Sequence, residues 1–199
     1  MGFSTLIDIL GSVVIGGMLL LILLRINDIA VRKSFTFTGD AILQNNLVEI
    51  VKLLEFDFRQ MGYNPDWENA NPMQSAITIA DSTSISFTYD GNTIKYSVGD
   101  PSELLVTPNP RDILLYRSVN GGTPFASNMG VTRFDLAYFD LWGNKLSTPV
   151  SNLGKIETIQ IDLEVEDMYG FEDRYGDEDR FAKSAWRQIR MSSRNRNGR

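Results

Sequence analysis

Residues 6–24 read LIDILGSVVIGGMLLLILL, and this stretch decides the fold. It carries thirteen Leu, Ile and Val side chains, and its apolar run is broken only by Asp8, Ser12 and glycines. Its length matches the roughly 20 residues that an α-helix needs to cross the hydrocarbon core of a bilayer. At about −0.3 to −0.6 kcal/mol for each Leu, Ile or Val, insertion is favoured by several kcal/mol. Asp8 opposes it by at most about 3 kcal/mol at the bilayer centre and by less near a span end. Insertion therefore wins. A cleaved secretory signal is the competing reading, but the apolar run exceeds a usual signal core and no basic segment precedes it. The stretch reads as a retained anchor. The Met1-Gly2 start resembles a myristoylation signal, but that signal wants Ser or Thr at position 6, where Leu6 stands.

Two readings of Asp8 stay open: a carboxylate at headgroup level satisfied by water, or a buried charge paired with a cation on a neighbouring chain. Ser12 and Gly16 form a small-xxx-small pair that lets a second helix approach closely.

Beyond the span come Arg25, Arg32 and Lys33, then SFTFTG at 34–39, which reads as a loosened or non-helical stretch. From Asp40 a second helical pattern starts. Leu43, Leu47, Ile50, Leu54, Phe58 and Met61 recur at three- and four-residue steps, with Asp40 as the expected cap and Gly62 and Pro65 as the stop. This apolar face is expected to pack on whatever follows. After Gly62 the period changes to two. Ile77 and Ile79 lead, and Ile85, Phe87 and Tyr89 alternate with Ser and Thr. Asp90-Gly91-Asn92 signals a turn, and Ile94, Tyr96 and Val98 alternate behind it. The pattern predicts an antiparallel meander with one buried face, and further strands at 113–118, 131–139, 156–165 and 185–191. The segments 99–111, with three prolines, and 120–130 read as loops. The predicted fold class is α+β, a long N-terminal helix packed on an antiparallel β-sheet domain. It divides into a transmembrane helix at 1–33, its amphipathic continuation at 34–63, a β-domain at 64–191 and a basic tail at 192–199.

The chain of 199 residues contains neither histidine nor cysteine. It therefore lacks the commonest general base and metal ligand, any thiolate nucleophile and any disulfide. No Gly-rich phosphate loop, nucleophile elbow or metalloprotease helix occurs, so no enzymatic activity is expected. The net charge of −6 gives no support to nucleic-acid binding. Residues 168–180 are densely acidic, with Glu172, Asp173, Asp177, Glu178 and Asp179. They read either as a solvated hairpin loop between the last two strands or as a Ca²⁺ site built from carboxylate oxygens, though the spacing does not match an EF-hand loop. No other cofactor is indicated. Residues 187–199 hold five arginines, suited to an acidic partner surface or to lipid headgroups.

The order of parts resembles the type IV pilin-like superfamily. Gly2-Phe3-Ser4-Thr5-Leu6-Ile7-Asp8 is similar to the prepilin processing motif, in which a glycine precedes a phenylalanine and a carboxylate follows. The stretch from Leu54 through Asp57-Phe58-Arg59 to Gly62-Tyr63 is similar to the helix end of PilW-type minor pilins and J-type secretion pseudopilins. Gly130-Val131 through Tyr138-Phe139-Asp140 to Gly143, followed by the 156–165 strand and the Arg-rich end, follows the C-terminal order of the same family.

The resemblance implies processing by a prepilin peptidase between Gly2 and Phe3. It implies residence as a single-pass protein of the bacterial inner membrane with a periplasmic domain, and then assembly with other pilins by an inner-membrane platform into an extracellular or periplasmic filament. Asp8 would neutralise the amino terminus of a neighbouring subunit, and Gly11, Ser12, Gly16 and Gly17 would permit close helix packing. The domain is longer than that of a usual major pilin, which points to a minor pilin that primes or caps assembly. Two departures stand out. Cleavage after Gly2 makes Asp8 the sixth mature residue, where the family carries Glu as the fifth. Arg25, Arg32 and Lys33 also follow the span, against the positive-inside rule, although a long domain is exported despite such charges. The alternatives are a type II secretion pseudopilin and a signal-anchored, monomeric envelope domain that binds a ligand or Ca²⁺.

Overall fold

A computed structural model of the chain describes residues 2–66, 76–104, 107–167, 181 and 183–191; the side chains of 3, 4, 183–189 and 191 fall outside the description. The chain divides into two compact units, Met1–Ala41 and Ile42–Arg199. One helix, α1 (Gly2–Gln60), contributes to both.

In the first unit α1 is the whole structure, and each described side chain from 5 to 38 is exposed. The helix includes a window of mean hydropathy 2.5, long and apolar enough to cross a membrane. The expected break at 34–39 does not occur, and Asp40 lies inside the helix instead of capping a new one. The hydroxyls explain why. Thr36 Oγ1 donates to the Arg32 carbonyl at 3.1 Å and Thr38 Oγ1 to the Ser34 carbonyl at 2.9 Å. Each Thr thus bonds into its own helix, and the weak β preference of Thr and Phe does not outweigh a helix already propagating from the N-terminal side.

The second unit starts with the rest of α1. Leu43, Leu47, Ile50, Leu54, Phe58 and Met61 are buried, as their spacing predicts, and Val51 joins them. The helix stops where expected. Gly62 takes φ 76°, which removes the penalty a side chain would meet there, and its N–H donates to the Thr88 carbonyl at 2.8 Å. The helix end is thereby pinned to the first hairpin.

The antiparallel meander expected from Ile77 onward is present, and the strands after it form a second antiparallel sheet. The first has five strands in sequence order: β1 (Ile77–Ala80), β2 (Ser84–Tyr89), β3 (Asn92–Val98), β4 (Leu115–Val119) and β5 (Phe125–Ser127). The β2–β3 turn has positive φ at both Asp90 and Gly91, the geometry that matches strand twist in a two-residue hairpin. The second sheet has the order β7-β6-β8-β9, from β6 (Val131–Phe139), β7 (Lys145–Leu146), β8 (Thr158–Glu166) and β9 (Lys183–Met191). β5 falls in a segment expected to be loop, and β7 was not expected. Both are edge strands too short for a periodic signal. β8 starts at Thr158, two residues into the expected 156–165 strand, and follows a 3₁₀ turn at Leu153–Lys155.

The two sheets and the helix share one core. Leu54 and Phe58 of α1 belong to it, with Ile85, Phe87 and Tyr96 of the first sheet and Phe134, Tyr138, Ile161 and Leu163 of the second. The Phe58 and Phe87 rings meet at 5.0 Å between centroids, tilted by 57°. Backbone bonds also tie the sheets together: Leu136 N–H donates to the Ser82 carbonyl at 2.7 Å, and Ile113 N–H to the Val131 carbonyl at 2.8 Å.

Candidate functional site

The sequence directs attention first to the apolar part of α1. Gly2, Phe3 and Asp8 all lie within the helix. Asp8 is exposed and makes no hydrogen bond or ion pair among the described residues. A carboxylate in an apolar stretch with no partner among the described residues is free to take one from a neighbouring molecule. Gly11, Gly16 and Gly17 have open space where a Cβ would stand, so nothing among the described residues requires glycine at these positions. The Ser12 hydroxyl donates to the Ile9 carbonyl at 2.8 Å, which satisfies it internally and leaves a small surface.

The four small residues do not share one face. At about 100° per residue, Gly11 and Ser12 flank Asp8, Gly16 lies about 80° away, and Gly17 lies on the opposite side. Gly11, Ser12 and Gly16 therefore make one small-residue path beside the carboxylate, and Gly17 belongs to another. Downstream, Arg32 pairs with Asp28 at 3.1 Å one turn back, an exposed pair of little energetic weight.

The acidic residues Glu172, Asp173, Asp177, Glu178 and Asp179, and the tail at 192–199, lie outside the described residues. Among the described residues, no group of three or more acidic side chains is placed to hold a metal ion.

Two polar clusters escaped the sequence reading in whole or in part. In the first, Asp57 is buried on the core face of α1. It accepts from the Tyr96 hydroxyl on β3 and, in a fork, from Arg117 Nε at 2.6 Å and Nη2 at 3.1 Å on β4. Asp57 thus ties the helix end to the sheet. Arg59 instead pairs with Glu55 on its own helix at 3.4 Å. Burial, and then the Asp57 hydrogen bond, push the Tyr96 phenol far above its usual range; the same carboxylate holds the Arg117 guanidinium protonated. This is a structural joint, with every charge paired.

The second cluster lies where 109–112 meets the end of β8. Arg111 Nη2 pairs with Glu166 Oε2 at 2.8 Å, and the Asn109 amide donates to the same oxygen at 3.1 Å and to the Asp167 carbonyl at 3.3 Å. Beside them Asp112 is buried with no hydrogen-bond partner for either carboxylate oxygen. Its pKa is raised, first by burial and then by the charges of Glu166 and Asp167. The Thr107 hydroxyl, whose proton goes to the Leu104 carbonyl at 3.0 Å, only partly opposes this. Nothing in the run Pro108-Asn109-Pro110-Arg111-Asp112 distinguishes it from an ordinary polar loop. Burial comes from the strands packed around it.

Compared with models of known protein families and with curated proteins, the chain matches none.

Proposed function

We propose that the chain is a structural subunit of a type IV pilus-like filament, a minor pilin that acts by assembly and not by catalysis. The observation that carries this reading is α1. One uninterrupted helix begins with an exposed, apolar, carboxylate-bearing stretch and ends as a core element of an antiparallel β-domain. A helix with apolar side chains exposed all round is stable only if lipid or other helices cover it. In this reading lipid covers it before assembly, and neighbouring subunits cover it afterwards. Asp8 then has a purpose that fits its lack of a partner among the described residues: in low dielectric an isolated carboxylate is costly, and a cationic N-terminus on a neighbour offsets that cost. The Gly11-Ser12-Gly16 path beside it lets a second helix come close enough for the pairing.

The test is the N-terminal residue and intact mass of the protein recovered from native membranes. A chain that starts at Phe3 is the expected result. A chain that still starts at Met1 would overturn processing at Gly2 and leave an uncleaved signal anchor as the better account.

A further inference from the structure

The turn that leaves β4 carries a reactive pair of residues. It opens with Asn120-Gly121-Gly122, and Asn120 is the single asparagine followed by glycine among the described residues. Asn120 takes φ 54° and Gly121 φ 66°, and the Gly122 N–H donates to the Val119 carbonyl at 3.0 Å. This is the tight hairpin geometry that Asn-Gly favours.

The Asn120 side chain extends the sheet beyond the last strand residue. β3 and β4 pair as far as Ile94 and Val119. One step on, the Asn120 N–H still donates to the Thr93 carbonyl at 2.8 Å. The Thr93 N–H, however, donates at 2.8 Å to Asn120 Oδ1, a side-chain oxygen where the ladder would use a backbone carbonyl. Asn120 Nδ2 donates to Asn92 Oδ1 at 2.8 Å, and Asn92 Nδ2 donates in turn to the Asp90 carbonyl at 3.1 Å. One exposed amide thus joins the end of β4 to the β2–β3 turn, with both of its polar atoms used.

The same residue is chemically fragile. The Gly121 N–H makes no hydrogen bond among the described residues, and the space where a Gly121 side chain would stand is open. Attack of this nitrogen on the Asn120 side-chain carbonyl carbon closes a five-membered imide and expels Nδ2 as ammonia. Water then opens the ring at either carbonyl. One opening gives aspartate. The other gives isoaspartate, with the main chain rerouted through the side-chain carbon. Ring closure draws the amide back from β3, so both of its hydrogen bonds must break first.

We propose that Asn120 is a site of spontaneous deamidation, that its two bonds to β3 slow the reaction in the folded chain, and that the product cannot restore the tie. In aspartate an acceptor oxygen replaces the Nδ2 donor and meets Asn92 Oδ1, acceptor against acceptor. The Asn92 amide cannot rotate to answer it without giving up the Asp90 carbonyl. In isoaspartate the added main-chain atom also undoes the turn. Each modified molecule keeps a loosened β3–β4 end and one more negative charge. The inference does not depend on how α1 is processed or assembled.

The experiment holds the full chain in detergent micelles at mildly alkaline pH, one sample folded and one in concentrated urea, and follows both for weeks. Trypsin cuts after Arg117 and Arg133 and releases residues 118–133, which also contain Asn128, followed by Met129. Tandem mass spectrometry of this peptide keeps the signal apart from Asn197-Gly198, the same dipeptide elsewhere in the chain. Acid at position 120 is expected in both samples, about tenfold or more slower in the folded one, because the reaction waits on local opening. Asn128 should remain an amide in both. Gly121→Ala, whose methyl group hinders the attacking nitrogen, should slow the reaction in urea several-fold. Asn120→Asp and the deamidated fraction of the parent should each unfold at lower urea than the amide form. The proposal is overturned by the absence of acid at 120 in the folded sample, by equal rates in the two samples, or by a deamidated fraction that unfolds at the parent's midpoint.

Discussion

Asp57 shows at single-residue scale how the sheet holds the helix. Its carboxylate is buried, and the Tyr96 hydroxyl and Arg117 guanidinium converge on it from two strands. Asp57→Ala leaves both donors without their acceptor and should cost about 3 kcal/mol in urea unfolding. Arg117→Ala strands a buried carboxylate with one hydroxyl for company, and should cost at least as much. Asp112 is the opposite case, a buried carboxylate whose oxygens accept no hydrogen bond among the described residues. Because its pKa is raised in the folded chain, the folded state binds more protons than the unfolded state between the ordinary aspartate range and the raised value. Stability from this group therefore falls as pH rises through that window. Asp112→Asn should raise the melting temperature by a few degrees at neutral pH, and the gain should vanish as pH drops below the ordinary aspartate range. Gly130 is a third sensitive position. It takes φ 73°, and a Cβ there would stand 2.4 Å from the Glu166 carbonyl oxygen, so Gly130→Ala should cost about 2 kcal/mol or more. None of these three environments can be read from a residue's neighbours in sequence, because every partner comes from another element.

At the scale of the element, α1 was legible in its faces and not in its continuity. The three-four spacing from Leu43 to Met61 identified a buried stripe, and the six residues it named are all in the core. The stripe makes a paired prediction. Leu54→Ala, at a site with no exposure, should cost about 2–5 kcal/mol. Phe56→Ala, two residues on and 60% exposed, should change stability by no more than about 0.5 kcal/mol. Equal effects in denaturant unfolding would mean that the helix is rotated from the orientation described here. The 34–39 stretch misled because Thr and Phe favour strands only weakly, and a propagating helix that takes up the Thr hydroxyls overrides that preference. Strands of six or more residues announced themselves by alternation. β5 and β7, with three and two residues, had no period to show.

For the whole molecule, the proposed assembly role predicts a separation of effects. Asp8→Ala should leave the unfolding midpoint of the β-domain unchanged, since Asp8 makes no hydrogen bond or ion pair among the described residues, and should reduce recovery of co-assembled subunits after cross-linking in membranes. Unchanged recovery would remove Asp8 from the assembly mechanism. Gly16→Leu should weaken the same cross-link more than Gly17→Leu, because Gly16 lies on the path beside Asp8 and Gly17 on the far side. The sequence by itself determined the membrane-length apolar helix, the amphipathic stripe behind it, the change to a period of two at the β-domain, and the absence of His- or Cys-based chemistry. Each of these is a local property of composition or periodicity, written along the chain. Only the tertiary structure decided that the strands form two sheets around the helix, and that Asp57 is bonded while the Asp112 carboxylate accepts no hydrogen bond among the described residues. Those outcomes depend on register and packing between segments far apart in sequence, where the free energy of burying a group is set by what meets it and not by what precedes it.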